Sequence, residues 1–144
     1  MPIASVTDSS CDLPADLILE HNITVIPLFI NIGDKSYRDG IDLSREEFYE
    51  GLADFSSPPK TSAPGPDIFH EAYQKLAENG VTEILSIHIS RSLSAILDSA
   101  HQAAKEFTAI PVTVFDSRQL SLGTGLQALT AAKAAAIGKS MGEI

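Results

Sequence analysis

Apolar positions along this chain alternate between two rhythms, a short β-like one and a longer helical one. Ile3-Ala4-Ser5-Val6-Thr7 is a β-prone run ended by Asp8-Ser9-Ser10, which predicts a strand and then a turn. Asp12-Leu13-Pro14 opens a helix, with Asp12 as its expected cap, Pro14 in its first turn and Leu17, Ile18 and Leu19 following; His21-Asn22 closes it. Ile23-Thr24-Val25-Ile26-Pro27-Leu28-Phe29-Ile30 reads as one buried strand. Pro27 removes a ladder donor, so this strand belongs at an edge or carries a bulge. Residues 31–43 suggest a hairpin-like excursion with turns at Gly33-Asp34-Lys35 and Asp39-Gly40.

Ser44-Arg45-Glu46-Glu47 is a capping box that opens a helix through Phe48, Tyr49 and Leu52. Four prolines between Ser56 and Pro66 predict a loop with neither helix nor strand. Asp67 to Asn79 places Ile68, Phe69, Ala72, Tyr73 and Leu76 on one helical face, stopped by Asn79-Gly80. Ile84 to Ile89 is the next strand, and a helix runs from the Ser90-Arg91-Ser92-Leu93-Ser94 turn towards Phe107. Pro111 to Phe115 is a strand ended by Asp116-Ser117, and an alanine-rich helix covers roughly 120–137. Alternating strands and helices predict an α/β fold of three α/β/α layers around a mainly parallel sheet.

Gly138 ends the long helix, and Ser140-Met141-Gly142-Glu143 reads as a second capping box with only Ile144 after it. The expectation is a single α/β domain over 1–144 whose natural chain continues.

Composition narrows the function classes. With 44% hydrophobic residues the chain has material for a core, and its 20% charged residues fall short of a disordered bias. No stretch approaches the roughly 18 apolar residues of a spanning helix, and the first residues lack the basic segment of a secretion signal. One cysteine, Cys11, has no internal disulfide partner, which fits a reducing cytoplasm. A net charge of −9 without a Lys/Arg run argues against nucleic acid and against anionic membrane surfaces.

Ligands of open parallel sheets bind beyond the carboxyl ends of the strands. Those ends carry Ser9 and Ser10, then Ser90, Ser92 and Ser94, then Asp116 and Ser117, while the proline-rich loop brings Thr61 and Ser62. Hydroxyls near helix starts donate to an anion without a full positive charge, which suits a fatty acid whose tail occupies an apolar slot. Each hydroxyl taken singly is more often a helix cap than a ligand contact.

Other chemistries remain open. Asp8 and Asp116, both at strand ends, form a candidate Mg²⁺ pair for a phosphotransferase or hydrolase, although such aspartates more often accept from the next turn. His21, His70, His88 and His101 fall in separate elements and read as surface or half-buried side chains, and no Gly-x-Ser-x-Gly elbow exists. Gly123-Thr124-Gly125 is too little for a nucleotide site and suits close helix packing. A self-associating interaction domain is a third class.

Four blocks then resemble the DegV family in order and spacing: Thr7 to Pro14, Lys60-Thr61-Ser62-Ala63-Pro64, Ile89 to Ser94, and Val114 to Ser117 with Gly123-Thr124-Gly125. The resemblance implies a non-enzymatic carrier of two domains that binds one long-chain fatty acid between them and presents it to a fatty acid kinase, with no other cofactor. It implies that Thr61 and Ser94, with Ser62 nearby, hold the acyl carboxylate; the strand-end residues Ser9, Ser10, Ser90, Ser92, Asp116 and Ser117 are the expected border of the pocket. Ala95 and Ile96 stand where the family has Gly-Thr, and the second domain has no counterpart here, so an exposed face and a homodimer are further expectations.

Overall fold

The computed structural model describes residues 2–144. Its centre is a four-stranded parallel sheet in the order β2-β1-β6-β7, made by β1 (Ile3–Asp8), β2 (Thr24–Ile26), β6 (Glu83–His88) and β7 (Val112–Asp116). β1 and β6 are almost continuously buried, as the inner strands of a sheet covered on both faces must be. Strand periodicity sorts their side chains. Ala4, Val6, Ile84 and the half-buried Val112 and Val114 join one core with Phe69, Tyr73, Ile96 and Ala100 from α3 (Pro66–Glu78) and α4 (Ile96–Glu106). Leu85 and Ile87 meet Ala131 of α5 (Leu122–Ala136) on the other face. There Cys11, Leu13, Ile23 and Leu129 also bury α1 (Ala15–Glu20). The result is the three-layer α/β/α arrangement expected from the alternation.

Helix-face logic holds well in α3. Phe69 and Tyr73 lie four residues apart on one stripe and are both fully buried, each contributing about 1.5–3 kcal/mol by leaving water. The close-packing role expected for the glycines is met at Gly125: a methyl there would run into the carbonyl oxygen of Cys11 and the side chain of Leu13. α5 therefore seats directly on the turn that follows β1.

Four expectations need correction. The run Ile23–Ile30 is two strands. β2 ends at Ile26 on the sheet edge, where a following proline costs no inner ladder bond, and β3 (Phe29–Ile32) starts a second sheet after Pro27-Leu28. The proline-rich segment is not all loop: β5 (Lys60–Ser62) pairs antiparallel with β3, because its three residues lie between Pro59 and Pro64 and keep their own donors. With β4 (Lys35–Arg38), joined to β3 through Gly33-Asp34, this makes a three-stranded antiparallel sheet in the order β4-β3-β5. Asp12 does not cap α1. Its backbone is left-handed (φ 53°), Pro14 occupies the cap position, and the Asp12 carboxylate is engaged elsewhere. Finally, His88 is neither surface nor half-buried; it is fully buried, because the alternation of β6 points it into the core beside Asp8.

The capping box at α2 (Arg45–Gly51) forms as expected, with both Ser44–Glu47 bonds in place. At the other end, Glu143 accepts from the Ser140 N–H and hydroxyl at 2.9 and 2.8 Å. No helix among the described residues is long and apolar enough to cross a membrane.

Candidate ligand-binding site

Chain direction picks the binding edge. β1 connects outward to β2 while β6 connects the opposite way to β7, so the crevice at the carboxyl ends of β1 and β6 is the topological switch point. β1 ends in Asp8, and Ser9–Cys11 follows as a 3-10 turn in which the Asp8 carboxylate accepts from Ser10 N–H. This is the turn role weighed for such aspartates. Ser9 Oγ accepts from Leu28 N–H at 3.0 Å, which ties the turn to the segment entering the second sheet.

Next to that turn lies a cavity of about 380 Å³, within the range of roughly 300–1,000 Å³ usual for small-ligand sites. Apolar walls come from Leu28, Ile30, Phe48, Tyr49, Pro59 and Leu120, and polar ones from Ser9, Ser10, Asp12, Asp39, Arg45, Thr61 and Ser121. The second sheet delivers Thr61 by register: Thr61 pairs with Ile30, so both face the cavity side, while Ser62 pairs with Phe29 on the opposite face. Ser62 Oγ there accepts from Asn31 at 3.1 Å.

Arg45, at the first position of α2, crosses to the turn. Its guanidinium pairs with the Asp12 carboxylate and donates to the Ser9 carbonyl at 3.3 Å. Asp12 also accepts from Ser121 Oγ at 2.5 Å. Asp12 and Ser121 are two of the four described non-glycine residues with left-handed backbone, and both line the cavity. Strain of this kind gathers where surrounding contacts fix a functional geometry.

Behind Ser10 a chain of hydrogen bonds runs into the core. Asp8 Oδ1 accepts from Ser10 N–H at 3.1 Å and from Ser10 Oγ–H. Oδ2 accepts from His88 Nδ1 at 2.9 Å and from Ile89 N–H at 3.1 Å. His88 Nε2 lies 2.7 Å from Ser86 Oγ, which lies 2.8 Å from the Tyr73 hydroxyl. Donor counting gives this chain one direction. An imidazolium would donate to Ser86 and Ser86 to Tyr73, orphaning the phenolic hydrogen; a neutral Nδ1–H imidazole leaves every donor satisfied. Burial would raise the Asp8 carboxyl, but the hydrogen bonds from His88, Ser10 and Ile89 outweigh it and hold Asp8 below its ordinary 3.8. Burial also pushes the Tyr73 phenol up to about 12. The order Asp8–His88–Ser86 has the members of a hydrolase triad, yet Ser86 is fully buried and out of reach of substrate.

The other expected residues lie on the same sheet edge without lining the cavity. Ser90 Oγ bonds Ser92 Oγ at 2.9 Å, and Ser94 Oγ accepts from Ile96 N–H at 3.2 Å. Ser117 Oγ pairs with Thr124 Oγ1 at 2.8 Å, and Asp116 accepts from Arg118 N–H at 2.9 Å. Ile96 itself fills the main core. All four donors at Asp8 leave no lone pair for a cation, and no cluster of His, Cys, Asp or Glu suited to a metal occurs among the described residues. Burial pushes the Cys11 thiol up from its ordinary value. Sequence reasoning missed Arg45, Asp39 and Ser121; the one available signal was Phe48-Tyr49, two aromatics at the start of a short polar helix.

The DegV family model, described as "Uncharacterised protein, DegV family", matches residues 2–144. A DegV domain-containing protein of Deinococcus radiodurans is 40% identical over 144 residues, covering 100% of this chain and 50% of that protein. Among solved structures, a DegV family protein from Thermus thermophilus described for its fatty acid binding superposes with a TM-score of 0.88 at 37% identity, over 99% of this chain and 50% of that one. DegV from Bacillus subtilis, described as a fatty acid binding protein, gives a TM-score of 0.90 at 33% identity, over 96% and 49%. The chain thus spans about half the length of the relatives it matches.

Proposed function

This chain belongs to the DegV family, and from that premise we propose that it is the N-terminal α/β domain of a cytoplasmic fatty-acid carrier. The carrier holds one long-chain acid by its carboxyl head and presents it to a partner fatty acid kinase, with no catalysis of its own. The observation that carries this reading is the cavity at the carboxyl edge of β1. It joins an apolar slot (Leu28, Ile30, Phe48, Leu120) to small hydroxyls (Ser9, Ser10, Thr61), the division an acyl chain with a polar head requires. The Thermus thermophilus and Bacillus subtilis relatives are described as binding fatty acid, which supports it.

In this reading Thr61 holds the head group from the cavity wall it shares with Ser9 and Ser10, and Ser94 approaches it from the adjoining sheet edge, where Ser90, Ser92, Asp116 and Ser117 shape the rim. Ser62, on the opposite face of β5, acts only by fixing the strand that carries Thr61. The second domain of the longer relatives supplies the opposite wall. Displacement of a fluorescent fatty acid tests the assignment: replacing Thr61 and Ser94 with alanine weakens binding at least tenfold, and unchanged affinity in the double variant overturns it.

A second reading rests on a different face. Leu85, Ile87, Phe115, Leu126, Met141 and Ile144 line an apolar groove between the sheet and α5, and Phe115 and Leu126 are half exposed. Self-association of this chain through that face would bury them. Sedimentation equilibrium over a concentration series decides it, a constant monomer mass counting against it.

A further inference from the structure

The hydroxyls around the cavity differ in where their hydrogens go. Ser10 Oγ donates to the buried Asp8 carboxylate, and Ser121 Oγ donates to Asp12 at 2.5 Å. A hydroxyl–carboxylate bond is charge-assisted and outcompetes neutral acceptors. Both serines have therefore committed their single hydrogen and offer the cavity only lone pairs. Asp12 and Asp39 add carboxylates to the same wall. Arg45, the cation among the described lining residues, is held by Asp12 and by the Ser9 carbonyl. The remaining ionisable neighbours are Tyr49 on the wall, Cys11 beside Asp12, and the Asp8–His88 pair behind Ser10. Free donors remain at Thr61, at Ser9 and at the N–H groups of Arg45 that Asp12 does not hold, but Ser10 and Ser121 present lone pairs only, and negative charge exceeds positive.

We propose that this cavity takes an amphiphile whose head group is neutral and donates a hydrogen bond, so that a fatty acid is bound as the undissociated carboxylic acid with its O–H directed to Ser10 Oγ. The inference rests on the reading of the cavity as a fatty-acid site and specifies the protonation state in which the acid enters. An ionised carboxylate has no hydrogen to give. It would meet Ser10, Ser121 and Asp39 oxygen against oxygen after losing its water. The neutral acid has one donor for Ser10 and a carbonyl oxygen to accept from the Thr61 hydroxyl. Above the pKa of the free acid, each molecule bound then takes one proton from solvent.

Calorimetric titration of the protein with dodecanoic acid, dodecanamide and methyl dodecanoate tests this. The amide mimics the neutral acid and the ester lacks a donor. Free aliphatic acids are largely ionised above about pH 5, so the affinity for dodecanoic acid falls about tenfold per pH unit between roughly pH 6 and 8. Amide affinity stays flat across that range, which also excludes titration of the protein as the cause. The ester binds at least tenfold more weakly than the amide, and Ser10→Ala removes that preference while Ser10→Thr keeps it. Acid binding that is independent of pH, together with failure of the amide to bind, overturns the inference and leaves the fatty-acid reading intact. If none of the three compounds binds, the lipid reading of the cavity fails and this inference fails with it.

Discussion

Replacing Asp8 with asparagine isolates the group on which the candidate site is built. Asp8 is fully buried, and each of its oxygens accepts two donors. Asparagine keeps one acceptor oxygen and turns an NH₂ group towards two N–H or O–H donors. Turning the NH₂ to the other side lets the Ser10 hydroxyl rotate and accept, but still opposes the Ser10 N–H. His88 cannot relieve the clash by switching tautomer, since Nε2–H would reverse the chain and orphan the Tyr73 hydroxyl. Leaving a buried donor without an acceptor costs about 1–3 kcal/mol, a sizeable share of the roughly 5–15 kcal/mol that holds a domain together. With a urea m-value of about 2 kcal/mol/M, the unfolding midpoint followed by circular dichroism drops by about 1 M. The pH dependence adds a second signature. Because the folded-state pKa of Asp8 is lowered, its stabilisation is complete above the ordinary value of 3.8 and disappears as pH falls through the lowered value. The gap between wild type and variant therefore narrows in acid. A gap below about 1 kcal/mol at neutral pH, or one that does not narrow in acid, refutes the reasoning.

Three further outcomes follow from packing and capping. Gly125→Ala drives a methyl into the Cys11 carbonyl and Leu13 and lowers stability by about 1–3 kcal/mol in urea titration. An unchanged midpoint would mean that α5 shifts freely. Ser44→Ala removes the capping box of α2 and costs about 1 kcal/mol, read as faster amide exchange over Arg45–Gly51. Cys11, 2% exposed and with its thiol pKa raised, reacts with a disulfide reagent only as fast as the region around β1 opens; labelling at the rate of a free thiol would contradict its burial.

Much of this architecture was legible because its signals are local. The apolar runs of β1, β6 and β7, the stripe of α3 and the Ser44–Glu47 box each fix an element within a few residues. The second sheet was not legible, because β3 and β5 become strands only through each other. Lys60-Thr61-Ser62 has no apolar alternation, and Pro27 hides the change of sheet inside one β-branched run. The burial of His88 was readable in principle. Ser86 and His88 share a parity on β6, and a parallel neighbour places Asp8 level with them. The cavity lining was the least accessible part, since Arg45, Asp39 and Ser121 come from three separate segments that meet only in the folded chain.

The central claim is that the cavity beside Ser9, Ser10 and Thr61 holds one fatty acid. A native mass spectrum of the protein purified from bacterial cells, before and after addition of a long-chain fatty acid, tests it most directly. The account predicts one adduct per chain with the mass of a fatty acid, lost when Thr61 and Ser10 are both replaced by alanine. An unliganded mass that added fatty acid does not change would contradict it.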